Sequence, residues 1–289
     1  MTASLMQSGF IAAQYLAPQH LLSRTAGLIA DSTSEPVKSR LIHWFIRRYG
    51  VDMAEAVEPE PDAYDSFNAF FTRALKPGAR PLSGGESTVI APADGVLSQH
   101  GRIQRGRLIQ AKGQSFSAAE LTCEPEDQIQ PFEQGLFATI YLAPRDYHRV
   151  HMPLAGTLEK MTFIPGRLFS VNPATAASVP RLFARNERVV AWFRTHWGPM
   201  AVVLVGAMIV AGIETVWAGR VARGGNRRRV LNYSSAGNKT ISLERGDEMG
   251  RFHLGSTVIV LLPRGRFEPD PSLAFSRTMR LGNALASGS

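Results

Sequence analysis

The chain has 289 residues, enough for one large domain or two small ones and for a substantial core without staples. Apolar residues make up 44% and charged residues 19%, the ordinary balance of a folded soluble protein; the single cysteine, Cys123, excludes an intramolecular disulfide and a cysteine-rich zinc site. The formal charge of +8 favours anionic partners, whether nucleic acid, anionic lipid headgroups or acidic substrates, without choosing among them.

The first 22 residues do not read as a signal peptide. They lack an early positive stretch, and Gln14, Pro18, Gln19 and His20 interrupt the apolar run. Apolar spacing predicts helices over the first ~75 residues, ahead of a β-rich domain over 76–289. In 37–49, Leu41, Ile42, Trp44, Phe45, Ile46 and Tyr49 form a broad apolar face bordered by Lys38, Arg40, Arg47 and Arg48. That pattern suits a helix lying in a lipid interface and equally a helix packed on its own domain. Residues 58–63 are an acidic, proline-bearing connector, 66–74 a short amphipathic helix with Ser66 as N-cap, and 76–85 a turn-rich loop.

From about residue 87 short β-prone runs alternate with glycine and proline turns. Strands are predicted over 88–90, 95–98, 107–110, 136–142, 157–163, 189–193, 201–210, 215–217, 240–243 and 256–262. The longest apolar run, 200–213, is short of the ~20 residues that span a bilayer, and its valines and isoleucines suit buried strand. The fold class predicted is α+β: N-terminal amphipathic helices on a β-rich domain with mostly antiparallel strands. The basic turn over 220–229 reads first as a solvated loop and second as an anion site, and the last ~20 residues read as a loose tail.

Three stretches carry candidate chemistry: Ala91 to Gly95, Arg145 to Pro153, and Arg251 to Val258. Together they offer a carboxylate, histidines and a serine, the parts of an activated nucleophile. A Gly-Ser pair opening an apolar strand is by itself more often a turn, and lone histidines are more often packed or solvated. A metal site would need His100, His196 or His253 recruited to His148 and His151, and no spacing supports it. Nucleic-acid binding has only the charge in its favour, since the arginines do not interleave with aromatics. A lipid-binding module without catalysis is the non-enzyme alternative.

The set LGST (254–257), PADG (92–95) and DYHRVHMP (146–153), with PGRLFSVNP (165–173) and VGAMIVAGIETVWAG (205–219), resembles the bacterial phosphatidylserine decarboxylase family. The resemblance starts at YLAPQHLLSR (15–24), continues through FNAFFTRALKPGARP (67–81) and reaches the LGST stretch. It implies a proenzyme that cuts itself between Gly255 and Ser256 into a β-chain, 1–255, and an α-chain, 256–289. The serine hydroxyl attacks the preceding carbonyl; elimination of the ester and loss of ammonia leave a pyruvoyl cofactor on residue 256, with no metal and no pyridoxal phosphate. That group forms a Schiff base with the amine of phosphatidylserine, and loss of CO2 gives phosphatidylethanolamine. An ether-linked phosphoserine lipid would use the same machinery.

In this reading His151 takes the serine proton, Asp94 orients His151 with Asp146 as second candidate for that role, and His148 returns a proton to the substrate carbon. Gly255 permits the sharp turn. Arg167 is a candidate for the lipid phosphate or carboxylate, and Phe169 for its apolar portion. The expected partners are phosphatidylserine and an anionic membrane surface, at the cytoplasmic face and peripheral. The α- and β-chains stay together as a heterodimer, with a further dimer implied by the family.

Overall fold

The computed structural model describes residues 2–111, 113–208, 212–221, 227–233, 240–253 and 256–288. Helices α1 (Thr2–Leu16), α2 (Gln19–Ala30) and α3 (Glu35–Tyr49) open the chain, and a short α4 (Phe67–Phe71) follows. Each boundary of α3 has a local cause. Pro36 stands in its first turn beside Glu35, Arg47 and Arg48 occupy its last turn, and Gly50 ends it in the left-handed region at φ 64°. At α4 the Ser66 hydroxyl accepts the Ala69 N–H at 3.2 Å, the predicted cap. Ile42 and Phe45 of α3 pack on Phe67, Phe70 and Phe71, so this helical layer has a small aromatic core of its own.

The strands are β1 (Thr88–Ile90), β2 (Gly95–Arg102), β3 (Arg107–Ala111), β4 (Gln114–Ser117), β5 (Leu136–Leu142), β6 (Arg149–His151), β7 (Gly156–Ile164), β8 (Arg188–Thr195), β9 (Gly198–Gly206), β10 (Gly212–Thr215), β11 (Gly219–Arg220), β12 (Arg229–Asn232), β13 (Ser242–Leu243), β14 (Glu248–His253), β15 (Ser256–Leu261), β16 (Phe267–Pro269), β17 (Thr278–Met279) and β18 (Ala284–Gly288). The main sheet runs β12-β7-β8-β9-β15-β5-β2-β17, with β13 also on β7; a second runs β11-β10-β14-β6 and a third β1-β18-β16, while β3 and β4 form a hairpin pair. The strand pairings are antiparallel, as the sequence predicts for an α+β chain.

The period-2 alternation of β15 holds the layers together. Val258 and Val260 point into a core shared with Val150, Ile213, Met249 and Phe252 of the second sheet. Ile259 and Leu261 point to the opposite face, toward Leu121, Phe132 and Phe183. The chain passes from the second sheet (β14) to the centre of the main sheet (β15) through two residues, 254 and 255.

One expectation is corrected. The last residues are no loose tail: β16, β17 and β18 pair within the sheets, and Met279, Leu281, Leu285 and Ala286 are buried. Their apolar residues are too scattered to show a period, because their partners, β1 and β2, lie nearly 200 residues upstream. The predicted strand over 201–210 is β9, ending at Gly206; its positions 209 and 210, like 222–226 of the basic turn, lie outside the described residues. Of that turn, Arg220 is paired with Asp31 of the helical layer at 2.8 Å and Arg228 with Glu124 at 3.1 Å.

Candidate functional site

Ser256 is the first residue of β15 and is fully buried, with its Oγ lacking any hydrogen-bond partner among the described residues. It stands opposite Leu142 at the end of β5 on one side and Gly206 at the end of β9 on the other. A buried hydroxyl without a partner costs about 1–3 kcal/mol, so an orphan here calls for a functional reason. Leu254 and Gly255, the first half of the predicted cleavage motif, lie outside the described residues.

His148 abuts the same junction. Its carbonyl accepts the N–H of Phe252, near the end of β14, at 2.9 Å. Its ring is fully buried and stacked on Phe71 of α4, centroids 4.0 Å apart; among the described residues neither ring nitrogen makes a hydrogen bond of good geometry, although the Pro144 and Ala143 carbonyls lie close enough to act on it. Burial pushes its pKa down to about 3, Arg73 pushes the same way, and the Pro144 and Ala143 carbonyls oppose. His148 is therefore a neutral imidazole at physiological pH.

His151, three residues on, has a different setting. Its Nδ1 is 2.8 Å from the Gly246 carbonyl and its Nε2 3.1 Å from the Tyr147 hydroxyl. A carbonyl only accepts, so Nδ1 carries the proton and Nε2 keeps its lone pair, facing the Tyr147 O–H. Burial lowers the His151 pKa and the Gly246 contact opposes; burial lifts Tyr147 to about 12. His151 is thus a neutral base with a fixed tautomer.

Among the described residues no hydrogen bond joins Asp94 to His151; the orienting contact is the Gly246 carbonyl. Both Asp94 oxygens are held by Arg80, at 2.6 to 3.1 Å, and one also accepts the Leu281 N–H at 2.8 Å. Arg80 in turn grips Glu55 at 2.7 Å. Asp94 still lies close enough to favour the charged form of His151. Asp146 accepts the Ala143 N–H at 2.7 Å and so shapes the turn from β5 to His148; burial raises its pKa.

Arg167 and Phe169 face the helical layer. The Arg167 guanidinium donates to the Tyr15 carbonyl at 3.2 Å and lies over the Phe169 ring, itself packed on Tyr15. Leu168 between them points the other way: a Cβ added at Gly206 would sit 3.6 Å from Leu168 Cδ2 and 3.9 Å from Ile213 Cδ1. Leu168 and Ile213 therefore roof the position next to Ser256. Glu187 accepts the Gly206 N–H at 2.9 Å. Its neighbour Arg188 bonds the Leu121 and Glu120 carbonyls on the far face, which turns Glu187 toward the Ser256 face. Burial raises its carboxyl to about 7, opposed by Arg229.

Tyr147, Gly246, Leu168, Glu187 and Arg73 were not singled out from sequence. Tyr147 and Leu168 lie inside quoted motifs and Arg73 is a lone cation behind three phenylalanines, signals too common to act on. Among the described residues no group of three or more histidine, cysteine, aspartate or glutamate side chains is arranged to hold a metal ion, and His253 is taken by Glu214 at 2.8 Å.

A family model described as phosphatidylserine decarboxylase matches residues 67–287, and one described as PSD matches 10–50. The chain is 54% identical over 277 residues to the phosphatidylserine decarboxylase proenzyme of Marinobacter nauticus, covering 96% of each. It is 56% identical to that of Pseudomonas aeruginosa, again covering 96% of each, and 56% identical to that of Bordetella pertussis, covering 96% of this chain and 93% of the relative.

Proposed function

The chain belongs to the phosphatidylserine decarboxylase family, and on that premise we propose that it is a proenzyme that cuts itself before Ser256 and decarboxylates phosphatidylserine. The observation that carries the reading is the orphaned, buried Ser256 hydroxyl at a two-residue crossing between sheets.

In processing, the Ser256 Oγ bonds to the carbonyl carbon of residue 255 as the 255–256 C–N bond breaks, leaving an ester and a free amine. His151 Nε2 is assigned the hydroxyl proton, which then passes to the departing amine, with the Gly246 carbonyl stabilising the imidazolium; among the described residues His151 stands opposite Glu248 on β14 and makes no hydrogen bond to Ser256. Loss of the residue 256 Cα proton expels the carboxylate of residue 255, and water then releases ammonia from the new terminus. Two chains result, 1–255 and 256–289. β15 stays between β5 and β9, so the new terminus is held in the sheet.

Residue 256 suits the pyruvoyl group such a sequence leaves. Its side-chain position is buried, no donor among the described residues bonds it, and Leu168 and Ile213 lie beside the adjoining Gly206 position. When present, that group supplies a keto carbonyl that engages the substrate amine and accepts the electron pair left by CO2. The chain's own part is to exclude water, hold the headgroup and move a proton. His148, neutral and buried beside the junction, relays the proton that returns to the substrate carbon. Membrane contact falls to α1 and α2, where Phe10, Leu16, Leu21, Leu22, Leu28 and Ile29 are exposed; no described helix is long and apolar enough to cross a bilayer.

The test is an intact mass under denaturing conditions with a decarboxylation assay on the same sample. Two chains split at 255–256, the small one carrying pyruvoyl, and CO2 released from phosphatidylserine are expected. Ser256→Ala gives one uncut, inactive chain; His148→Ala is cut but decarboxylates at least 100-fold more slowly. Full activity in an uncut chain ends the reading, and a chain that binds lipid but never cuts makes it a non-catalytic lipid binder.

A further inference from the structure

Arg73 is a strongly buried cation near the junction without a carboxylate partner among the described residues; Arg188, the other, has its guanidinium engaged by the Leu121, Asn186 and Glu120 carbonyls. Its side chain leaves the chain two residues past α4 and is 5% exposed. Nε has no hydrogen-bond partner. One Nη reaches the Arg145 carbonyl at 3.5 Å, the limit of a hydrogen bond, and the guanidinium lies over the Phe70 ring at 5.6 Å. The neighbouring arginines are different: Arg80 holds Asp94 and Glu55, and Arg149 holds Glu248 at 2.7 Å.

The acids that feel Arg73 are already engaged. Asp94 gives both oxygens to Arg80, and Asp146 is turned to the Ala143 N–H. His148 lies in its field, and Tyr147 acts on Arg73 in turn. A guanidinium presents five donors in a planar fork, and leaving its Nε dry and unpaired is costly. Burial lowers its pKa, as expected for a cation without a counter-ion.

We propose that Arg73 is the receptor for the phosphodiester of the substrate headgroup. The inference rests on the decarboxylase reading and deepens it. A headgroup held at residue 256 by its amine offers two oxyanions, the carboxylate and the phosphodiester. An arginine on the carboxylate would stabilise the charge that must be lost as CO2, and so would hold the ground state against reaction. The phosphodiester keeps its charge throughout, so binding it anchors substrate and transition state alike, and the planar fork suits it. Such uniform binding sets KM and leaves kcat nearly untouched.

The experiment compares the parent with Arg73→Gln and Arg73→Lys, each checked for the 255–256 cut by intact mass, on phosphatidylserine in mixed micelles. Glycerophosphoethanolamine, which has the phosphodiester but no carboxylate, and free serine, which has the reverse, are added as competitors. Arg73→Gln is expected to be cut, to raise KM about tenfold or more with kcat within about threefold, and to weaken inhibition by glycerophosphoethanolamine by a similar factor while leaving inhibition by serine unchanged. Arg73→Lys keeps the charge without the fork and is expected to raise KM about three- to tenfold; it carries the test where the glutamine variant does not fold. An unchanged KM in a cut variant overturns the proposal, and so does a loss confined to kcat or to serine inhibition. A parent protein that neither cuts nor decarboxylates would instead sink the underlying reading.

Discussion

Along β15, from Ser256 to Leu261, no side chain is more than 1% exposed; along α1 and α2, Leu16 is 87% and Leu28 75% exposed. Both regions are apolar in sequence, yet one is sealed between two layers and the other faces outward. The sheet body gains its stability by removing such groups from water. The helical layer hides Ile42, Phe45 and the α4 phenylalanines and leaves a second apolar surface open, which suits contact with another apolar phase. Burial and exposure thus divide the protein into a sealed part and a part with apolar side chains left open.

Three measurements sharpen or break that comparison. Phe252→Ala in β14 removes a fully buried ring between the two sheets and is expected to cost about 3–5 kcal/mol in denaturant unfolding. A cost below ~1 kcal/mol would mean the layers are not one close-packed core. Glu187→Gln tests the polar edge of the same core. The folded carboxyl titrates near about 7, above its ordinary value, so its contribution to stability is fully present below about 4.5 and lost as pH rises through about 7. The amide escapes that loss, so the variant should be about 1–3 kcal/mol more stable than the parent at pH 8 and no more stable at pH 4.5. A pH-independent difference would place the carboxyl in water. The smallest change in stability is expected for Leu16→Ser with Leu28→Ser, within about 0.5 kcal/mol of the parent. The same pair should lower flotation with anionic vesicles by about tenfold or more, since two exposed leucines lose their transfer to lipid. Unchanged flotation with an unchanged melting point would leave the open surface to some other partner.

Legibility in the sequence followed the same division. β1 and β5 stand where the apolar runs over 88–90 and 136–142 place them, and the Ser66 cap is where its residue type predicts. β6 and β14 were missed although both border the site. β6 is three residues long, and β14 carries Glu248, Gly250, Arg251 and His253 among its six, so neither shows a clean period. The candidate residues Ser256, His148 and His151 could be named from sequence because they sit in short motifs. Their contacts could not be named. The Gly246 carbonyl on His151 and the Leu281 N–H on Asp94 join positions 95 and 187 residues apart, set by register between strands rather than by local spacing. Arg80, which holds Asp94, lies in a segment that reads only as a turn-rich loop.

The last 34 residues, 256–289, reach across the molecule: β15 lies between β5 and β9, β17 on β2, and β18 on β1. A cut before Ser256 turns each of those contacts into an association between two molecules. Dilution alone would not separate them, because release of the small chain exposes the middle of the main sheet and so needs unfolding of the whole. Once unfolded, the pieces must meet again, and recovery becomes second order in protein, slowing as the sample is diluted. The uncut Ser256→Ala chain keeps first-order refolding. Such a cut would therefore make denaturation in dilute solution close to a one-way event.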